Sequence, residues 1–209
     1  MAACFLAVSA TAALAQEDAR IAGEYRAVDS FEMFQGLLLR PDGTFAYALS
    51  VGALDQRSSG TWTRHGDSFE LVTTPKPVPP RFVQGDASED ADAPFVQITW
   101  PNGRGIAGID VVLGCRGREP VGGYTQEDGW SPPSGDCAYP EWIELVEPIH
   151  ETRSARIAIT EPGKGLRFIL EPNSMGVIDL TGARGTVTGD RLVLYFNGHT
   201  EDFVRIAPQ

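Results

Sequence analysis

The sequence predicts an all-β protein, an antiparallel barrel or open-sheet meander interrupted by an inserted β-sandwich module. Short runs of alternating apolar and polar residues recur between turn signals, which is typical of half-buried strands. After the opening segment, no run of about ten residues sustains apolar side chains at helical spacing. A proline-rich and acidic stretch separates the first outer segment from a middle segment whose residue pattern differs from that of the outer segments.

The chain opens with an uncharged apolar stretch that is typical of a secretory leader. MAACFLAVSATAALAQ carries no charged side chain, and Ala13-Leu14-Ala15 matches the small-x-small pattern of signal peptidase sites. The run is too short to span a bilayer, which takes about 20 apolar residues. We therefore predict a signal peptide over residues 1–15 and a periplasmic or secreted protein. An N-terminal core helix is the alternative interpretation.

The first hairpin lies in GLLLRPDGTFAYALS, residues 36–50. Pro41-Asp42-Gly43 supplies the turn, because proline and glycine fit its backbone angles and aspartate bonds to the nearby backbone. In the return strand, Phe45, Tyr47 and Leu49 share one face, since side chains alternate along a strand.

The second hairpin is GTWTRHGDSFELV, residues 60–72, which turns at His65-Gly66-Asp67. Trp62 and Arg64 share one face of its first strand. Residues 185–194, GTVTGDRLVL, repeat the order of strand, Gly-Asp turn and alternating strand. Asn197-Gly198 then turns the chain into a last strand. We expect the first and last portions to belong to one meander.

The amino-acid composition changes in the middle of the chain. TPKPVPP is too rich in proline for a central strand, and QGDASEDADAP has no apolar face. The predicted division is a discontinuous barrel or meander over residues 16–83 and 163–209, an acidic linker over 84–94, and an inserted sandwich over 95–162. The alternative is two tandem domains with a break near residue 90.

Two cysteines follow the predicted leader, Cys115 and Cys137. In an oxidising compartment such a pair forms a disulfide, which stabilises a loop of this length by about 3 kcal/mol. A zinc site is the alternative interpretation, but the two residues form no CxxC motif and have no nearby histidine.

The middle segment contains glycine-spaced strands and an acidic turn. Residues 105–111 read GIAGIDV, and GGYTQEDGW places Thr125 three residues before Asp128-Gly129. This arrangement resembles the prealbumin-like, or carboxypeptidase regulatory-like, sandwich modules over residues 95–160. The resemblance implies a strand ending in a turn at Asp128-Gly129, where glycine supplies a positive φ. The glycines before Tyr124 allow close packing or a bulge.

Aromatic residues are concentrated in the outer segments, which are lipocalin-like in style. A barrel could line a cavity with them, and the candidate binding residues are Tyr25, Tyr47, Trp62 and Arg64, the last as a polar anchor. An ordinary filled core is the simpler interpretation of the same residues.

The sequence favours a non-catalytic protein that binds a small ligand or an envelope protein. The formal net charge of −11 argues against nucleic acid and anionic membranes as partners. The three histidines are most simply surface residues and show no zinc-motif spacing, and GxSxG and SxxK are absent, so we predict no metal, no cofactor and no catalytic residue. A hydrolase of envelope polymers with paired carboxylates, and a structural accessory of an envelope complex, are the alternatives.

Overall fold

A computed structural model describes the chain over residues 20–28, 31–90, 92–161 and 163–207. The predicted signal peptide, residues 1–15, lies outside the described residues. The chain forms two compact units, one made of Met1–Pro77 with Gly176–Gln209 and the other of Val78–Met175.

The described residues form sixteen strands, in agreement with the all-β prediction. In chain order the strands are β1 (Gly23–Ala27), β2 (Met33–Leu39), β3 (Thr44–Val51), β4 (Leu54–His65), β5 (Ser68–Thr73), β6 (Arg81–Gln84), β7 (Val96–Thr99), β8 (Asp110–Cys115), β9 (Val121–Tyr124), β10 (Pro140–Glu147), β11 (Thr152–Arg153), β12 (Ile157–Ala158), β13 (Leu166–Glu171), β14 (Arg184–Thr188), β15 (Arg191–Phe196) and β16 (His199–Arg205).

In the first unit, eight antiparallel strands close into a barrel in the order β1-β16-β15-β14-β5-β4-β3-β2. Two ladders join strands from opposite ends of the sequence. Gly185 of β14 lies opposite Phe69 of β5, and Tyr25 of β1 lies opposite Arg205 of β16. Closure pairs the strand edges that an open sheet would leave exposed. The prediction of a barrel or open sheet is thus confirmed in its closed form.

The hairpin turns of the barrel lie where the sequence predicts them. Gly43 and Gly66 have φ angles of 80° and 69°, and Asn197-Gly198 has φ angles of 49° and 82°. The inward faces of the strands alternate with exposed ones and fill the barrel with large apolar side chains. The most deeply buried of these are Tyr25, Leu37, Leu39, Phe45, Phe69, Leu71, Leu192 and Phe203.

The second unit is a sandwich of two sheets. One sheet has the order β11-β10-β8-β9 with β12 paired to β10, and the other has the order β6-β13-β7, in which β13 runs parallel to β7. Both sheets contribute to one apolar core, with Val111 and Ile143 from the first and Ile98 and Phe168 from the second. The inserted sandwich is therefore present.

The units divide at different residues from those that the sequence indicates. β6 and β13 pair with each other, with Phe82 opposite Leu170, and so lie in the sandwich rather than in the outer segments. The acidic stretch 84–94 also belongs to this unit, where the Ser88 amide donates to the Gly165 carbonyl at 2.8 Å. The first segment of the barrel unit ends at Pro77, inside the proline-rich stretch TPKPVPP, so β6 follows a local boundary signal. β13 alternates like a barrel strand, and its own sequence does not show to which unit it belongs.

The predicted disulfide between Cys115 and Cys137 is present, with the two Cα atoms 5.5 Å apart. It joins the end of β8 to the loop that precedes β10.

GGYTQEDGW forms a tight turn. Gln126 and Gly129 exchange backbone hydrogen bonds of 2.9 and 3.0 Å, and the two acidic residues between them are exposed. A Cβ at Gly123 would come within 2.2 Å of Nε1 of Trp130, so this glycine gives the indole room to pack. The prediction of a structural turn is confirmed. The resemblance to prealbumin-like modules stays a prediction.

Candidate functional site

A cavity of about 490 Å³ opens at the end of the barrel that carries the β3–β4 and β15–β16 turns. We call it the barrel mouth. It is lined by apolar, aromatic, amide and acidic side chains from Tyr47, Leu49, Gln56, Ile178, Asp179, Leu180, Leu194, Phe196, Asn197 and Glu201.

One wall of the barrel mouth is the segment that returns the chain to the barrel, residues 176–183. The Arg57 amide donates to the Gly176 carbonyl at 2.8 Å, and the Ile178 amide donates to the Arg57 carbonyl at 3.0 Å. The Leu180 amide donates at 2.8 Å to the hydroxyl of Thr73. Leu180 is also buried in the barrel core. Together these contacts fix the position of residues 176–183, which form this wall of the barrel mouth.

Three polar side chains form a connected group, in which Gln35 joins the two lining residues Tyr47 and Glu201. Gln35 Nε2 donates to the hydroxyl oxygen of Tyr47 at 3.1 Å and to a carboxylate oxygen of Glu201. Because a carboxylate only accepts hydrogen bonds, its contact fixes the orientation of the Gln35 amide. Gln35 and Tyr47 are 5% and 6% exposed, so strands β2, β3 and β16 hold this group inside the barrel.

The environment of Tyr47 keeps its hydroxyl protonated. Burial, followed by the negative charge of Glu201, raises the pKa of Tyr47 to about 12, and the hydrogen bond from Gln35 opposes the rise. The hydroxyl oxygen already accepts from Gln35. Within the described part of the chain its O–H has no acceptor at hydrogen-bond distance. The Tyr47 hydroxyl therefore has bonding capacity left for a ligand or water.

The charged groups that line the barrel mouth are both acidic. Among the residues that the structure describes, Asp179 and Glu201 line the mouth and no lysine, arginine or histidine does. Hydrogen bonds from Thr181 hold the pKa of Asp179 below its usual value, with a smaller contribution from Lys76. Asp179 is thus ionised at neutral pH, and the mouth has negative potential.

The opposite end of the barrel is closed by Arg205. Its guanidinium donates at 2.5 Å to the carbonyls of Ala22 and Arg20, and it also donates to the Tyr25 hydroxyl. The guanidinium carbon lies 4.7 Å from the centroid of the Tyr25 ring. Burial raises the pKa of Tyr25. Because the arginine donors are committed to these partners, we assign this group to closure of the barrel.

The four binding residues predicted from the sequence lie in three places. Tyr47 lines the barrel mouth, whereas Tyr25 and Trp62 are buried in the core toward the closed end. Trp62 Nε1 donates to the Arg40 carbonyl at 2.9 Å. Arg64 donates to the Gly66 carbonyl at 2.5 Å and lines a separate cavity of about 430 Å³ at the closed end. The structure therefore does not bring the four side chains into one site.

Sequence reasoning missed Gln35 and Glu201, although a signal for both exists. Gln35 is in phase with Leu37 and Leu39 on β2, and Glu201 is in phase with Phe203 on β16. A polar residue at an inward strand position must be hydrogen-bonded or must face a cavity. Gln35 is hydrogen-bonded, and Glu201 is both hydrogen-bonded and exposed to the barrel mouth.

Comparison of the chain with protein-family models, with curated proteins and with solved structures finds no match. Among the described residues, no helix is long and apolar enough to cross a membrane. No group of three or more histidine, cysteine, aspartate or glutamate side chains in the same residues is arranged to hold a metal ion.

Proposed function

We propose that the protein is a non-catalytic binding protein whose barrel mouth takes a small ligand with an apolar body and a polar head. The supporting observation is the Gln35–Tyr47–Glu201 group beside apolar lining residues in a cavity of about 490 Å³. Ligand sites combine mostly apolar walls with a few placed polar groups, and the mouths of β-barrels are a common place for them.

Hydrolysis by paired carboxylates is the alternative function. Asp179 and Glu201 both line the barrel mouth, as that mechanism would require. Hydrolysis also needs a carboxylic acid with a raised pKa to protonate the leaving group. Hydrogen bonds from Thr181 lower the pKa of Asp179, so Asp179 does not fit the role of general acid, which would fall to Glu201.

We propose further that the protein works in an oxidising compartment after export, as a periplasmic or secreted protein. The disulfide between Cys115 and Cys137 supports this proposal, since such bonds persist in oxidising environments. Mass measurement of the protein recovered from cell fractions, with and without reductant, tests it. Recovery of a reduced, full-length chain from the cytoplasmic fraction alone would contradict it.

Binding can be tested with N-phenyl-1-naphthylamine, a neutral apolar dye that becomes fluorescent in apolar sites. We expect the wild-type protein to bind the dye at about micromolar concentration, as is usual for small apolar ligands. Leu49→Trp adds a large ring to the lining of the barrel mouth and should abolish binding. Dye fluorescence, with circular dichroism to verify folding, is the measurement.

Val193→Trp is the matched control. Val193 precedes the lining residue Leu194 on β15 and is 37% exposed, so a tryptophan there extends away from the barrel interior. This variant should bind the dye as the wild type does. The proposed function fails if the wild type does not bind the dye, or if the two tryptophan variants behave alike.

A further inference from the structure

We infer that the barrel mouth selects organic ammonium ions with an apolar body, over neutral and anionic ligands of the same shape. This inference rests on the binding role proposed above and narrows it to one chemical class. Its basis is the partly buried carboxylate of Glu201, the acceptors around it and the charges that line the mouth.

Glu201 has a hydrogen-bond donor but no compensating charge. The Gln35 amide is neutral, and within the described residues no lysine, arginine or histidine lies at ion-pair distance from the Glu201 carboxylate. A carboxylate that is partly removed from water is costly unless a cation pairs with it. A bound ammonium ion would provide that pairing, and a neutral head group would not.

The surroundings of Glu201 match the donors of an ammonium group. The Tyr47 oxygen has two lone pairs, and only one of them accepts from Gln35. The side-chain amides of Gln56 and Asn197 also line the mouth and offer carbonyl oxygens. Tyr47 and Phe196 add aromatic rings, whose faces attract cations.

Anionic ligands would be repelled by the charges that line the barrel mouth. A carboxylate in the barrel mouth would face Asp179 and Glu201 without a cationic side chain among the described lining residues. Lys76 acts on Asp179 electrostatically but does not line the mouth. The net charge of −11 further favours the approach of cations. An apolar body is required because Leu49, Ile178 and Leu194 form the walls.

The inference can be tested with three ligands of nearly equal shape: 2-phenylethylammonium, 2-phenylethanol and phenylacetate. Isothermal titration calorimetry at neutral pH and low salt gives their dissociation constants. In the wild type we expect the ammonium ion to bind at least about tenfold tighter than the alcohol, and phenylacetate to bind most weakly. Glu201→Gln keeps the size and polarity of the side chain and should remove most of the preference for the ammonium ion, with Asp179 supplying the remainder.

Asp202→Asn is the matched control. Asp202 is the next residue of β16, is exposed on the outer face, and loses the same charge on substitution. This variant should keep the preference for the ammonium ion, which separates a local effect of Glu201 from an effect of net charge.

Three results would overturn the inference. These are equal binding of the alcohol and the ammonium ion to the wild type, tighter binding of phenylacetate, or the same loss of preference in Glu201→Gln and Asp202→Asn. Dye binding in the barrel mouth would still stand in each case, so the proposed function would survive. If the wild type binds neither the dye nor any of the three ligands, the binding role itself fails.

Discussion

The barrel and the sandwich bury their polar side chains in different ways. In the sandwich, the Thr125 hydroxyl donates to the Ile106 carbonyl at 2.6 Å and accepts from the Ile109 amide at 3.1 Å. Glu147 likewise accepts from the amides of Ile149 and His150, at 3.0 and 2.9 Å. These buried polar groups satisfy backbone atoms, and Glu147 also contacts Nδ1 of His150 at 3.2 Å.

In the barrel mouth the buried polar groups bond mainly to one another. Gln35 connects Tyr47 with Glu201, and neither contact satisfies a backbone atom. Ser58 and Thr73, on neighbouring strands, instead fix the return segment. The comparison teaches that a buried polar side chain stabilises the fold when its partners are backbone groups, and deserves a test for binding when its partners are other side chains at a cavity.

The largest expected effect is on the sandwich alone. The double substitution Cys115→Ser with Cys137→Ser should lower the unfolding free energy of this unit by about 3 kcal/mol, because the unfolded chain regains the freedom of a 22-residue separation. Native-state hydrogen exchange of the β8 and β10 amides would report the loss. Unchanged exchange at those amides would contradict the prediction, and the β3 amides of the barrel serve as the internal control.

Thr125→Val should destabilise the sandwich by about 2 kcal/mol. Valine has nearly the same shape but leaves the Ile106 carbonyl and the Ile109 amide without their side-chain partner in a buried place. Denaturant unfolding measures the change. Thr186→Val, at an exposed position of β14, is the control and should be close to neutral.

The raised pKa of Tyr47 predicts a pH dependence of barrel stability. Its pKa is about 12 in the folded protein, against an ordinary value of 10.0 for tyrosine. The protonated Tyr47 hydroxyl therefore contributes fully to the free energy of unfolding below about pH 10. This contribution is lost as the pH rises toward 12, because the unfolded state releases the proton first. We expect wild type to lose about 1 to 2 kcal/mol relative to Tyr47→Phe across this window.

Urea unfolding of both proteins at several alkaline pH values provides the measurement for Tyr47. Parallel stability curves for the two proteins would show that Tyr47 ionises equally well in the folded and unfolded states, and the buried environment described above would be wrong.

Gln35→Leu should have the smallest effect on stability, under about 1 kcal/mol. The barrel mouth is open, so water can replace the lost amide at Tyr47 and Glu201, whereas no such access exists at Thr125, which is fully buried. The same substitution should weaken binding of 2-phenylethylammonium severalfold, since it releases Glu201 from its fixed position. A loss of stability as large as that of Thr125→Val would place Gln35 among the groups that determine the fold.

Much of the fold could be predicted because its signals are local. The alternation of Phe45, Tyr47 and Leu49 and the turns at Gly43 and Gly66 depend on neighbours in the chain, and the structure confirms them. The pairing of β6 with β13 joins residues about ninety positions apart. No local pattern encodes such a pairing, so the unit boundaries differed from the prediction.

The candidate site could be predicted only in part for the same reason. Tyr47 is on the correct face by alternation, but its partners Gln35 and Glu201 come from strands that meet only when the barrel closes. Arg64 shares a face with Trp62, as expected, yet strand direction carries it to the closed end. Periodicity predicts which face of a strand a side chain occupies, but it does not predict the position of that side chain along the barrel axis.

The bonds of Arg205 to Ala22, Arg20 and Tyr25 have a consequence for the kinetics of any ligand that binds in the barrel. Because that end is closed, a ligand of the barrel would enter and leave by the barrel mouth alone. A bulky group placed at the rim, clear of the resting guest, would then slow capture and release by the same factor and leave the equilibrium constant untouched. Such a variant would change the lifetime of a bound ligand without changing its affinity.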